Sequence, residues 1–350
     1  MKTISRNATL KRVFSNPLNK IFSYMRNGRK KAVFMMLVAV LFAQQSPSYA
    51  SSKDPLKVGV NIWVGWMPWW IVKEKGLLEK NHANAKLVFF GVQANSMTAL
   101  ASGHLDACSL ATNDIVSIAA KGVGTKIVLL NDESYGADML VTRNIDSVKD
   151  LKGKKIALEV GGVSNFFLNT VLEKNGVSPK DVQLLNMGAA DAGSAFLAKT
   201  VDAAVTWEPY GSQAIKSGGK FLATSKDTPN AIVDVLAVSD ETAKNRSEDV
   251  KRVLNAWFDA LDYIKTNPDD AYKIMAKASD VSVKEFKEMW EGVRMYSRED
   301  NVAALGTPSK QGPYYKTVSD MNKFMLEQKL ISESVTSSSV IDSSFVKGGK

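Results

Sequence analysis

Asn95-Ser-Met-Thr-Ala-Leu-Ala-Ser-Gly-His-Leu-Asp106-Ala and Asp191-Ala-Gly-Ser-Ala-Phe-Leu-Ala-Lys-Thr-Val-Asp202-Ala are two versions of one phrase. Each runs through a helical apolar pattern to an Asp eleven positions on, and then into a short apolar run. A repeat of this length marks a duplicated supersecondary unit. The copies extend in both directions at an offset of 96 to 98 residues. Upstream, Lys57-Val-Gly-Val-Asn61-Ile-Trp63-Val-Gly-Trp66 corresponds to Lys155-Ile-Ala-Leu-Glu159-Val-Gly161-Gly162-Val-Ser164. Both read as a strand, a glycine-containing loop and a helix. Downstream, the polar loops Thr112-Asn113-Asp114 and Trp207-Glu208-Pro209-Tyr210 follow each apolar run.

Strands that alternate with helices of this length imply parallel sheets flanked by helices. The expected fold is therefore α/β with two lobes, each a mostly parallel sheet. Lobe 1 is expected over 55–138 and 236–330 and lobe 2 over 139–235, so that the chain crosses between them twice and makes a hinge. The crossings are the runs Asp138-Met-Leu-Val-Thr142 and Ile232-Val-Asp-Val-Leu-Ala-Val238. From Glu241 to Gln328 the sequence reads as helices; Val253, Leu254, Trp257, Leu261 and Ile264 recur at helical spacing. The Ser- and Lys-rich stretch 331–350 reads as a flexible tail.

The first 50 residues carry nine Lys or Arg and no acid, and removing them leaves 36 basic against 36 acidic side chains. The formal charge of +9 therefore gives no argument for nucleic-acid binding. Basic residues up to Lys31, the apolar run Ala32 to Ala43, Pro47 and Ser48-Tyr49-Ala50 read as a secretory signal cut after Ala50, starting at Met1 or Met25. The apolar run has 12 residues, against about 20 for a permanent span. The single Cys108 excludes an intramolecular disulfide and reads as a small core residue. With only His82 and His104 in the mature chain, neither a catalytic thiol nor a structural zinc site is expected, and no cofactor is implied.

In open α/β sheets, ligands bind beyond the carboxyl ends of the strands. The loops there supply the candidate ligand-binding residues: Asn61, Trp63, Trp66, Asn95, Ser96, Asn113 and Asp114 from the first half, and Glu159, Gly162, Ser164, Asn165, Asp191, Trp207, Glu208 and Tyr210 from the second. Trp69 and Trp70 read as core, Trp63 and Trp66 as exposed. Gly161-Gly162-Val163-Ser164-Asn165 either offers N–H groups to an anion or simply caps its own helix. Asp114, Glu159, Asp191 and Glu208, with Trp63, Trp66, Trp207 and Tyr210, suit a cationic or amine-bearing solute through ion pairing and cation–π contact; Asp191 reads equally as a helix N-cap. Asp106 and Asp202 read as turn-forming residues of both lobes.

The order of an aromatic loop, Ala99-Leu-Ala-Ser-Gly-His-Leu-Asp-Ala, Leu151-Lys-Gly-Lys-Lys, Ala195-Phe-Leu-Ala-Lys-Thr-Val-Asp-Ala and Thr206-Trp-Glu-Pro-Tyr resembles the periplasmic substrate-binding proteins of ABC importers for taurine, aliphatic sulfonates, nitrate and the thiamin pyrimidine precursor. The resemblance runs from Leu56 to Ser297. It implies a two-lobed type II periplasmic binding protein, a monomer that closes on a small polar solute and delivers it to a membrane permease with its ATPase. Val64-Gly65-Trp66-Met67-Pro68-Trp69 is similar to a branch associated with urea-carboxylase gene regions and with guanidine-like or other small nitrogenous solutes, whereas Gly162-Val163-Ser164-Asn165 resembles the sulfonate binders. A non-catalytic receptor is expected. The alternatives are a cleft enzyme using Asp191 and Glu208 as acid and base, and a periplasmic sensor partner.

Overall fold

The computed structural model describes residues 54–307 and 309–347; the proposed leader and its Ala50 cleavage position lie outside them. Eleven principal strands build two sheets. They are β1 (Leu56–Asn61), β2 (Ala85–Phe90), β3 (Ala107–Ala111), β4 (Thr125–Ser134), β5 (Asp138–Thr142), β6 (Lys155–Leu158), β7 (Gln183–Asn186), β8 (Ala203–Trp207), β9 (Lys220–Thr224), β10 (Val233–Ser239) and β11 (Val293–Met295). The first sheet has the order β11-β4-β10-β3-β1-β2 and the second β7-β6-β8-β5-β9.

The duplication is visible in the pairing. β1 and β3 are parallel with Val58 opposite Ala107, and β6 and β8 are parallel with Ile156 opposite Ala203. The repeated aspartates join these strands at their starts. Asp106 Oδ2 accepts the Lys57 N–H at 2.8 Å and Asp202 Oδ2 accepts the Lys155 N–H at 2.9 Å. Each Asp backbone N–H returns a bond to the same lysine's carbonyl, at 3.0 and 3.1 Å. A carboxylate thus closes the strand entrance that backbone pairing alone would leave open.

The sheets are mixed rather than mostly parallel. β5 runs antiparallel to β8 and β10 antiparallel to β3, because each crossing strand enters its sheet from the cleft side, beginning where its neighbour ends. Asp138 accordingly lies opposite Trp207, and Asp234 opposite Ala111. Asp138 thus belongs to the second sheet and Val233–Val235 to the first, which moves each expected crossing slightly toward the amino terminus. The helical stretch after Glu241 also contains β11, which extends the first sheet beside β4.

Helix α1 (Pro68–Glu74) starts on a proline, whose missing N–H costs nothing in the first turn. It buries Trp69 against Trp257 of the long amphipathic helix Ser247–Thr266, ring centroids 4.8 Å apart. Trp69 Nε1 donates to Ser109 Oγ at 2.9 Å, so the indole is buried with its polar edge satisfied. Trp70 is half-buried on Phe89. Cys108 is buried and free; burial pushes its thiol up to about 12, as befits an inert core residue. His82 and His104 are exposed turn residues.

The expected flexible tail is packed. Ile331, Val335, Val340, Ile341, Phe345 and Val346 are buried in the first lobe's core, Ile341 bridges to Ile127, and Asp342 N donates to the Ile127 carbonyl at 3.0 Å. The serines and lysines between these apolar residues lower the mean hydropathy and conceal the anchor. Among the described residues, no helix is long and apolar enough to cross a membrane.

Candidate functional site

The carboxyl ends of β1, β3, β6 and β8 converge on a cavity of about 250 Å³. From the sequence-derived set it is lined by Trp63, Trp66, Asn113, Asp114, Glu159, Gly162 and Trp207. To these it adds Ile62, Gln93, Ala94, Met97, Ala111, Asp138, Val163, Ile232 and Asp234, which sequence reasoning missed. Among the described residues, no Lys, Arg or His lines it. Among the described residues, no group of three or more His, Cys, Asp or Glu is arranged to hold a metal ion.

The remaining candidates stand elsewhere. Asn61 and Ser96 are buried and bond to each other at 2.8 Å, tying β1 to helix α2 (Gln93–Ala101). Asn95 is an exposed residue of that helix. Asn165 accepts from Gly161 N and donates to Asn169. Ser164 is buried, its hydroxyl without a partner. Tyr210 begins its own helix and packs beside Gly193. Trp66, expected to be exposed, is only 2% so; it lines the cavity and belongs to the first lobe's hydrophobic core.

The four carboxylates selected from the sequence lie at helix starts, and two of them, Asp114 and Glu208, accept backbone N–H bonds there. Asp114 lies in the first turn of α3 (Thr112–Ala120) and accepts from Ala111 N at 3.3 Å, Gln93 Nε2 at 2.6 Å and Asn113 Nδ2 at 3.0 Å. Glu208 accepts from Ser212 N and Ser212 Oγ at 3.1 and 2.8 Å. Asp191 is exposed in the first turn of Ala189–Leu197, whose N-cap is Gly188 rather than Asp191. Glu159 lies against Gly162, the N-cap of α4 (Val163–Lys174), where a Cβ would stand 3.4 Å from its carboxyl carbon. Each acid sits where backbone N–H groups and the helix dipole favour a negative charge. Asp191 and Glu208 do not line the cavity, which removes the geometric basis for an acid–base pair acting on a bound molecule there.

The acids without such support come from the crossing strands. Asp138 and Asp234 occupy equivalent positions, since the residues opposite them, Trp207 and Ala111, end the two duplicated strands. Both are buried, 2% and 4% exposed. Behind Asp234 stands Asp132 of β4, its cross-strand neighbour, fully buried and accepting from Trp63 Nε1 at 3.0 Å. Gly65 passes so close that a Cβ there would collide with the Asp132 carboxylate; only glycine lets the loop cover this group. Burial, opposed by the Trp63 bond and reinforced by Asp138, pushes Asp132 up to about 7. Burial pushes Asp138 up to about 6. Asp234 is held well above the carboxylate range by burial and then by the charges of Asp132, Asp138 and Asp114. Asp114, half-buried with its carboxylate open to the cavity, is raised to about 6 by burial against its three hydrogen bonds, and Glu159, at the mouth, is raised by burial. A lone acid inside each apolar run, Asp138 before Met-Leu-Val and Asp234 within Ile-Val-Asp-Val-Leu, was the sequence signal for these groups.

A larger cavity, about 580 Å³, lies between helix faces and the loop 228–231. Its cations are already engaged: Lys174 Nζ donates to the Asp227 carbonyl at 2.7 Å and Lys316 Nζ to Asp320 at 2.5 Å.

A family model described as NMT1/THI5 like matches residues 67–271. A protein of Escherichia coli (strain K12) named for aliphatic-sulfonate binding is 30% identical over 261 residues, covering 72% of this chain and 79% of its own. The taurine-binding periplasmic protein of the same organism is 25% identical over 249 residues, covering 68% and 76%. The alkanesulfonate-binding protein SsuA of Xanthomonas axonopodis pv. citri, solved with MOPS bound, superposes with a TM-score of 0.69 at 20% identity, over 84% of this chain and all of that one.

Proposed function

Since the chain belongs to the NMT1/THI5-like family, whose relatives here are binding proteins, we propose that it is an exported periplasmic receptor that captures a small cationic solute between its lobes and delivers it to an ABC importer. The solute class is an amine or guanidinium compound. The observation that carries this reading is the charge of the cavity wall: Asp114, Asp138, Glu159 and Asp234, three tryptophans and no basic residue. A sulfonate there would meet four carboxyl groups and no counter-charge, whereas a cation gains ion pairs and cation–π contact in a partly desolvated site.

The helix starts support the same conclusion. An anion receptor uses the N–H groups of helix N-termini. In this chain the N-cap N–H of α3 already bonds Asp114, and Glu159 lies against the N-cap of α4. Two features favour a sulfonate, the buried, unpartnered Ser164 hydroxyl in the first turn of α4 and the unpartnered Trp66 Nε1–H on the cavity wall, but Glu159 lies against that helix start. Closure of the lobes follows from the ligand touching both of them. Asp234 belongs to the first sheet, Asp138 to the second and Glu159 to the loop that follows β6 of the second, so bound solute favours the closed arrangement by its differential contacts.

A thermal-shift screen tests the reading: guanidinium, methylguanidinium, short alkylammonium ions and diamines against taurine, alkanesulfonates and nitrate, in phosphate buffer because common sulfonate buffers are themselves candidates. Stabilisation by the cations is expected. Stabilisation by sulfonates alone would overturn the proposal.

A further inference from the structure

The acids at the cavity floor form a problem of electrostatics. Asp132 and Asp234 are cross-strand neighbours on β4 and β10, both buried, and Asp132 Oδ2 has no hydrogen-bond partner. Two adjacent carboxylates in low dielectric cannot both ionise without a counter-charge. Among the described residues, none of the groups around them supplies one. Trp63 donates a neutral N–H to Asp132. Asp138 of β5 and Asp114 of α3 add negative potential. Glu133 beside Asp132 is paired with Arg294 of β11 at 3.3 Å, and that arginine is spent on Glu133 and the Tyr135 ring. Tyr296 and Tyr314, whose fields reach the same acids, are held neutral by burial. Two further groups point to a missing ligand rather than to a closed internal network. Asn113 Oδ1 and Trp66 Nε1 are buried without partners on residues that line the same cavity; the Asn113 oxygen asks for a donor, which a cation supplies, and the Trp66 N–H for an acceptor, which the cationic group does not supply.

Resting on the cationic-solute reading, we propose that Asp132 and Asp234 share one proton while the cleft is empty and release it when the solute cation binds against Asp234 and Asp138. Capture is then an exchange. The protonated nitrogen of the solute arrives with its charge, the carboxyl O–H of the pair ionises, and its proton leaves to water, so that total charge is conserved with no bond to carbon made or broken. Asp132 acts as a positioning residue behind Asp234: it holds the pair's proton without lining the cavity. The field of Asp138 and Asp114 keeps the proton on the pair at neutral pH, and the solute's charge reverses that field. Binding therefore strengthens as pH rises through neutrality.

The test measures protons directly. Guanidinium chloride at millimolar concentration, with methylguanidinium and n-butylammonium as further probes, is titrated into the protein in weakly buffered phosphate under a pH-stat at pH 7.5. At that pH Asp114 and Asp138, raised only to about 6, are mostly ionised and contribute little. Between about half and one proton released per bound cation is expected, with Kd tightening about tenfold per pH step while one proton is exchanged. Asp132→Asn should bind the cation yet release almost none. Binding of a cation by the native protein without proton release, or equal release by folded Asp132→Asn, would overturn the exchange while leaving the receptor reading intact. Failure of every cationic probe to bind would remove both. The native-protein titration decides the matter even if Asp132→Asn does not fold.

Discussion

Asp138→Asn should make the empty protein more stable at pH 8 and leave it unchanged at pH 3. Asp138 is buried at the first position of β5, raised by burial from 3.8 to about 6. A carboxyl whose folded-state value is raised contributes fully below its unfolded value and loses that contribution as pH rises through the folded one. The loss therefore spans about pH 4 to 6. At about 1.4 kcal/mol per tenfold, ionising this group at pH 8 costs the folded state on the order of 3 kcal/mol. Asparagine keeps the shape and removes the charge. For a chain of this size each kcal/mol moves Tm by roughly 2 °C, so a gain of about 4–6 °C is expected at pH 8 by differential scanning calorimetry, vanishing at pH 3. The same variant should bind guanidinium at least tenfold more weakly, because a stabilising change here removes a ligand contact. An equal Tm gain at both pH values, or none at either, would refute the claim that Asp138 is an ionised acid held at a cost for binding.

Other expectations follow from the packing. Trp66→Ala should now unfold the first lobe partially, at about 3–5 kcal/mol for a buried tryptophan, read as a lowered urea midpoint, whereas Trp207→Ala should leave that midpoint unchanged and weaken solute binding in a fluorescence titration. Asn301 is fully buried and its amide bonds both Leu130 N, at 2.7 Å, and Leu130 O, at 3.0 Å. Asn301→Leu strands both backbone groups and should cost about 2–4 kcal/mol in chemical denaturation. Phe345→Ala should cost about 3–5 kcal/mol, and an unaltered midpoint would mean that residues 331–347 do not anchor the first lobe.

Much of the fold was legible because it is written twice. The Asp106 and Asp202 phrases located both strand entrances, and the two apolar runs 138–142 and 232–238 located the crossings. Their direction was not legible, since an apolar run does not say which neighbour it will pair with, and antiparallel entry follows only once the cleft exists. The tail was misread because an anchor of dispersed apolar residues resembles a polar segment in composition. At the site, residue type was read more reliably than residue role. Asp114 and Glu159 were found, yet both spend charge on helix starts. Asp191 and Glu208 do so away from the cavity. The unsupported acids, Asp132, Asp138 and Asp234, lay in strands that were read as structure alone. Their signal was a charge inside an apolar run, which has meaning only when its neighbour across the sheet is known.

The central claim is that this cleft receives a cation. Isothermal titration calorimetry of the native protein at pH 7.5 in phosphate, with guanidinium and with an alkanesulfonate in parallel cells, addresses it most directly. The account predicts saturable 1:1 binding of the cation that weakens as pH falls to 5.5, and no heat from the sulfonate. Saturable sulfonate binding with a silent cation would contradict it.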